Sequence, residues 1–243
     1  VSMQEGAPKQ TRRRMAPEDR REAILDAALE LFKQRGWDAV TIADVLAAAE
    51  ISKGGFYHHF AAKEDLLTGL VTRMTAQALE ATEAARVPAT GNALDRLNAF
   101  LTETQRWTAD NIEDLRGFTE IFAQPSNNVL YRRIGDAEAA AVMPMLTQMI
   151  ADGVSEGVFD AADPPLVAEI MLCLSQGRQA MLADALGHAA AGDLDGGANA
   201  LDRRMRAEGA ALDRLLGLPE GSVRLSNPQE FKRMLAGLTQ NAV

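Results

Sequence analysis

The sequence predicts an all-α fold: an N-terminal three-helix domain followed by a larger helical domain. Three observations carry this. Apolar residues recur at helical spacing, neither strand-like alternation nor an internal repeat of fixed length is found, and helix-favouring Ala, Leu, Glu and Arg dominate while aromatics make up only 5%. Capping and breaking residues then divide the chain into elements.

Residues 1–16 read as a basic, disordered arm. Pro17 opens the first helix, with Glu18 and Asp19 at its positive end. Ile24, Leu25, Ala28, Leu31 and Phe32 form its apolar stripe, and Gly36 supplies its stop. Thr41 and Asp44 have the spacing of a capping box for a second, short helix bearing Ile42, Val45 and Leu46. Ser52 caps a third, running from Lys53 to about His59 with Phe56 and Phe60 turned inward. A fourth helix from near Ala62 buries Leu66, Leu67, Leu70, Val71 and Met74. The predicted helix-turn-helix domain spans about residues 17–65, and residues 66–243 form the second domain.

Within that second domain Asn92 caps a helix through Trp107, and Ile112 to Phe122 forms another, stopped by Pro125. Pro144 is expected to kink or divide the segment 128–156. Asp163, Pro164 and Pro165 start a helix expected to run to about Leu186. The stretch Gly187–Gly197 reads as a mobile loop. Leu201, Met205, Leu212, Leu215 and Leu216 stripe the next helix, and Asn227-Pro228 opens a short final one.

At 243 residues the chain is long enough to bury a substantial core. Its net charge of −9 argues at first against nucleic acid, but the charge is unevenly spread. Residues 9–21 hold Lys9, Arg12, Arg13, Arg14, Arg20 and Arg21 against Glu18 and Asp19, while 15 basic and 23 acidic side chains follow residue 65, so the acidity sits mostly in the second domain. A single cysteine, Cys173, excludes an intrachain disulfide and fits a reducing compartment. No apolar run reaches membrane-span length and no secretory signal is legible, so a cytoplasmic protein without membrane contact is expected.

The informative stretch is TIADVLAAAEISKGGFYHHFAAKEDLL, from Thr41 to Leu67. Two short capped helices joined by a tight turn fit helix-turn-helix logic, in which the second helix enters the major groove by its N-terminal end. Ser52, Lys53, Gly54 and Gly55 occupy that end, where free backbone N–H groups and a lysine suit phosphates and glycines allow close approach. Tyr57 and His58 add donors. Lys63 opposes the dipole of the helix it opens, and an external anion would explain it.

Through T-I-A-D-V, I-S-K-G-G-F-Y-H-H-F and K-E-D-L-L, at matching spacing near the N-terminus, residues 20–72 resemble the tetracycline-repressor (TetR) family. The resemblance implies an all-helical homodimer, each subunit presenting one recognition helix. It matches Thr41, Tyr57, His58 and Lys63 to phosphate-contacting places and puts Ser52, Lys53, Gly54 and Gly55 on the recognition helix. Two residues depart from the family pattern. Glu50 stands in the turn where glycine is usual, at a cost of roughly 1 kcal/mol if the left-handed conformation persists. Ala62 replaces a small polar cap, partly offset by Glu64 and Asp65.

Other features have plainer readings. Adjacent His58 and His59 point about 100° apart with no third ligand nearby in sequence, so no metal is expected, and no cofactor motif is present. Cys173 reads as a small buried packing residue and His188 as solvent-exposed. Trp107, Phe118, Phe122, Met145, Met149 and Met171 are core by default. The resemblance makes them candidate lining for an effector pocket, with Arg178 as a candidate polar contact. Small residues Ala168, Ser175, Gly177, Ala180 and Ala183 suit close helix packing between subunits.

No nucleophile–base pair or metal cluster points to an enzyme. The expected function is a sequence-specific, DNA-binding transcriptional regulator: a repressor that binds an inverted-repeat operator on double-stranded DNA as a homodimer and is released by a small molecule. The alternatives are an activator, a ligand-independent regulator, or a nonspecific architectural DNA binder.

Overall fold

The computed structural model describes residues 16–86, 91–116, 118 and 128–239. Among these, every regular element is a helix: α1 (Pro17–Ala39), α2 (Ile42–Ala48), α3 (Lys53–Tyr57), α4 (Lys63–Arg86), α5 (Ala93–Asp110), α6 (Ile112–Arg116), α7 (Asn128–Ser155), α8 (Pro164–Gln176), α9 (Gln179–Ala190), α10 (Leu194–Leu215) and α11 (Pro228–Thr239). No described helix is long and apolar enough to cross a membrane.

Two hydrophobic cores organise the chain. The first joins Ile24, Leu25, Leu31 and Phe32 of α1 to Val45, Phe56 and Phe60, to Leu66, Leu67, Leu70 and Met74 of α4, and to the distant Phe118. The second is built from α5 and α7 to α11, around Leu97, Leu146, Ile150, Leu172, Leu201 and Leu212. Continuous α4 serves both: its first half belongs to the first core, and its later residue Leu79 packs on the second.

The predicted caps hold. Thr41 and Asp44 form the complete capping box of α2, Asn92 and Asp95 that of α5. Asp163 Oδ1 accepts from Leu166 N at 3.1 Å to start α8. At Gly36 the chain takes φ 76° and ψ 166°, a region that only glycine enters readily, and the helix is kinked there before its last residues, 37–39.

Five expectations need correction. Pro144 does not divide its segment, because α7 runs through it. Pro144 and Ala140, whose carbonyl loses its donor, both lie on the exposed face, where water can replace the missing bond. The helix expected over 164–186 is broken at Gly177 and Arg178, whose ψ values of 2° and −3° are too near zero to continue the α-helical ladder. Gly187–Gly197 is mostly helix: α9 reaches Ala190, the chain turns at Gly192 (φ 84°), and α10 begins at Leu194 under the Asp193 cap. Alanine's helix propensity and that cap outweigh the glycines. The helix from Ile112 ends at Arg116, with Phe118 in a turn; its expected remainder, Phe122 included, lies outside the described residues. Finally, Cys173 is exposed, because α8 turns Ala168, Met171 and Leu172 inward instead.

Candidate nucleic-acid interface and cavity

Phe56 (0% exposed) and Phe60 anchor α3 in the first core, which leaves Ser52, Lys53, Gly54, Tyr57 and His58 as one exposed face. Ser52 Oγ accepts from Gly55 N at 3.1 Å, fixing the helix start. Lys53 Nζ sits 5.9 Å from the Tyr57 ring centroid, so cation and phenol lie side by side. A Cβ added to Gly54 would meet no atom within 4 Å, so packing does not require glycine there. The turn holds Glu50 at φ 52°, the left-handed conformation expected if glycine's usual geometry persists.

Two predicted contacts already have internal roles. The Thr41 hydroxyl donates to Asp44 Oδ2, while Asp44 N donates back to Thr41 Oγ1 at 3.3 Å. The Thr41 hydroxyl and backbone N–H, helped by nearby Arg35, hold the Asp44 carboxyl below its usual range. Lys63 Nζ donates to the Trp37 carbonyl and lies 4.3 Å from the centroid of its ring. These contacts stabilise the ammonium group from within the protein. Asp65 Oδ2 accepts from Ala61 N at 2.8 Å and Ala62 N at 3.0 Å, replacing the cap that Ala62 lacks. His58 and His59 rings meet edge-on at 4.9 Å, and burial, with the neighbouring His58, Arg20 and Arg21 charges, lowers the His59 pKa. No group of three or more His, Cys, Asp or Glu poised for a metal occurs among the described residues. Arg12, Arg13 and Arg14 lie outside them.

A cavity of about 450 Å³ opens among α4, α5, α7, α8, α10 and α11, a size suited to a small organic molecule. Its lining is mainly apolar and includes four of the predicted ligand residues: Trp107, Phe118, Met171 and Arg178. Met145 and Met149 pack into the second core and do not line it.

Sequence reasoning missed Glu138, which sits on the cavity-facing stripe of α7 between Ile134 and Val142. A carboxylate interrupting an apolar stripe at helical spacing was the available signal. Its side chain is surrounded by protein yet keeps free surface, because that surface meets the cavity. Burial pushes its carboxyl above the usual value, opposed by the Arg178 charge. Nearby Tyr131 is pushed up to about 12, chiefly by burial and further by Glu138. Arg178 Nε donates to Glu208 Oε2 at 3.0 Å, and Arg204 Nε to Glu208 Oε1 at 2.6 Å, so the buried Glu208 is held by two guanidinium groups.

Cavity and helix-turn-helix share a wall. Phe118 (1% exposed) lines the cavity and packs 6.0 Å, centroid to centroid, from Phe32 of α1. One helix away, Lys33 Nζ pairs with Asp114 of α6 at 2.9 Å, and this bond raises the lysine pKa. Arg133 of α7 pairs with Asp65 at the start of α4 at 3.0 Å.

An exposed, capped recognition helix on a three-helix core, joined to a helical domain enclosing a cavity, defines a helix-turn-helix regulator with a ligand-sized chamber. The family model described as "Bacterial regulatory proteins, tetR family" matches residues 24–70. YhgD of Bacillus subtilis, an HTH-type transcriptional regulator, is 30% identical over 160 residues, 64% of this chain and 80% of that protein. The repressor KstR2 of Mycobacterium tuberculosis is 38% identical over 81 residues, 33% of this chain and 40% of its own length. Among solved structures, RolR in complex with resorcinol superposes with a TM-score of 0.56 at 19% identity, covering 90% of this chain and 94% of that one. A TetR-family protein from Syntrophomonas wolfei gives a TM-score of 0.53 at 21% identity, covering 68% and 83%. This chain belongs to the tetR family of bacterial regulatory proteins. It is a DNA-binding transcriptional regulator.

Proposed function

We propose that this regulator is a repressor that binds an inverted-repeat operator as a homodimer and is released when a small molecule occupies the cavity. The observation that carries this reading is the shared wall: Phe118 belongs to the cavity lining and to the core that supports the recognition helix. A ligand touching Phe118 therefore acts on the packing of α1, and through it on the setting of α3. The mechanism is a population shift, in which the liganded state favours a separation of two recognition helices that no longer matches successive major grooves.

In this reading Ser52, Lys53, Gly54, Gly55, Tyr57 and His58 face DNA, with Thr41, Lys63 and the arm residues Arg12, Arg13 and Arg14 contributing phosphate contacts. Lys63 acts partly by holding the end of α1 through the Trp37 carbonyl. The DNA-binding domain covers about 17–65, with α4 continuing into the effector domain. The exposed residues Leu166 and Cys173 of α8 and Ala180 of α9 support a subunit interface together with α10.

The test is selection of bound sequences from a random DNA pool, followed by a ligand screen in which each hit is retested for operator release. Enrichment of an inverted repeat and ligand-dependent release are expected. A pool that enriches no inverted repeat defeats the operator reading, and ligands that bind without altering operator affinity defeat the release mechanism.

A further inference from the structure

We infer that the cavity selects a neutral, mainly apolar molecule carrying a hydroxyl group, held between Glu138, which accepts its hydrogen bond, and Arg178, which donates one. The inference rests on the effector reading for its biological meaning and on the cavity alone for its chemistry.

The cavity's polar groups differ in what they have left to bond. Thr82 donates to the Leu79 carbonyl, Thr104 to Phe100 and Thr108 to Thr104, so these hydroxyls are engaged with their own helices. Gln105 Nε2 donates to the Leu225 carbonyl across the lining. Arg178 uses Nε and Nη2 on Glu208, leaving its Nη1 hydrogens uncommitted. Glu138 forms neither a hydrogen bond nor an ion pair with the described residues, although the Arg178 charge acts on it. An acceptor on α7 and a donor at the α8–α9 break thus face one cavity with their bonds unmade. A guest that fills the cavity displaces the water that reaches these groups and must replace its hydrogen bonds.

Charge decides the guest's head group. Arg178 and Arg204 both pair with Glu208, and when Glu138 is ionised its charge brings this group of four to neutrality. A ligand cation would add an unmatched charge beside Arg178, and a ligand carboxylate would add one beside Glu138 and Glu208. A hydroxyl both donates and accepts and leaves the balance unchanged. The mainly apolar remainder of the lining calls for a hydrocarbon body.

Three cage compounds of one shape test this: 1-adamantanol, 1-adamantylamine and adamantane-1-carboxylate, each titrated calorimetrically into the whole 243-residue chain. The alcohol is expected to bind at least about tenfold tighter than either ion. Glu138→Met should lower alcohol affinity about tenfold, the usual effect of losing a hydrogen bond to a charged group, while melting no lower than the parent. Preference for the amine would make Glu138 a counter-ion for cations, and preference for the carboxylate would make Arg178 the anchor. Either result overturns the inference, as do unchanged alcohol binding in Glu138→Met and failure of all three cages to bind. Operator affinity is measured separately with and without the alcohol. Glu138-dependent binding without operator release leaves the ligand chemistry standing and removes the effector reading.

Discussion

Glu50 and Glu138 are carboxylates held where an isolated side chain would not choose to be. Glu50 occupies the turn before α3 at φ 52°. Glu50→Gly should stabilise the protein by about 1 kcal/mol, a rise of roughly 2–4 °C in melting temperature for a chain of this size. It should also raise DNA affinity by removing a negative charge beside the recognition helix; an unchanged or lower melting temperature would show that the side chain offsets the backbone cost. For Glu138 the raised pKa fixes the sign of a pH effect. Burial favours the protonated form, so between the ordinary carboxyl value and the raised one the folded protein binds more protons than the unfolded chain. Stability from this group is present at low pH and lost as pH rises through that window. The melting-temperature advantage of Glu138→Met over the parent should therefore widen with pH and then level off, as thermal melts across pH 4–9 would record. An advantage that shrinks with rising pH would contradict the assignment.

At the scale of elements, α3 shows how function can be separated from folding. The added Cβ of Gly54→Ala meets open space, so the substitution should leave the fold intact and raise stability slightly, since alanine suits a helix better than glycine by roughly 0.5–1 kcal/mol. If α3 approaches the groove closely, the same methyl should weaken operator binding about tenfold or more. Opposite signs in a melt and a DNA titration identify the DNA-facing surface, whereas equal DNA affinity would move the contact elsewhere. This part of the molecule was legible because its signals are local: Thr41 with Asp44, Ser52 ahead of Gly55, and two buried phenylalanines four residues apart. The second domain was harder to read. The break at Gly177–Arg178 lies beside Arg178's bonds to Glu208, thirty residues away, and nothing within the helix announces that partner. Pro144 looked disruptive because sequence alone does not say which face of α7 meets water. Residue type suggests a buried Cys173 and a core Met149, but the helix's rotation decides the outcome: Cys173 faces outward, while Met149 lies in the core and not on the cavity wall. Lys63 also has an internal partner that the sequence does not show, because the Trp37 carbonyl is supplied only by the fold.

The molecule as a whole is two cores flanking one cavity, and Phe118, a first-core residue on the cavity wall, carries the prediction for coupling. Phe118→Leu keeps an apolar group in place at a cost of about 1–2 kcal/mol, yet loses the ring contact with Phe32. Ligand affinity should change less than threefold, while the ligand-induced fall in operator affinity, roughly 5–150-fold for an ordinary coupling energy, should shrink several-fold. Titrations of operator DNA with and without a ligand identified by the screen would show this, and undiminished coupling would place the transmission outside Phe118. Helix α4 sets the reach of any such effect. Its 24 residues make a rod of about 36 Å, with one end seated under the recognition helix and the other beside the cavity. A rod behaves as a lever: a tilt of about 5° moves its far end by about 3 Å. In the proposed dimer, two such displacements in opposite directions would change the separation of the recognition helices by about 6 Å, against a groove repeat of ~34 Å. Under the proposed release mechanism, a small ligand therefore needs to supply little movement, because the length of one uninterrupted helix supplies the rest.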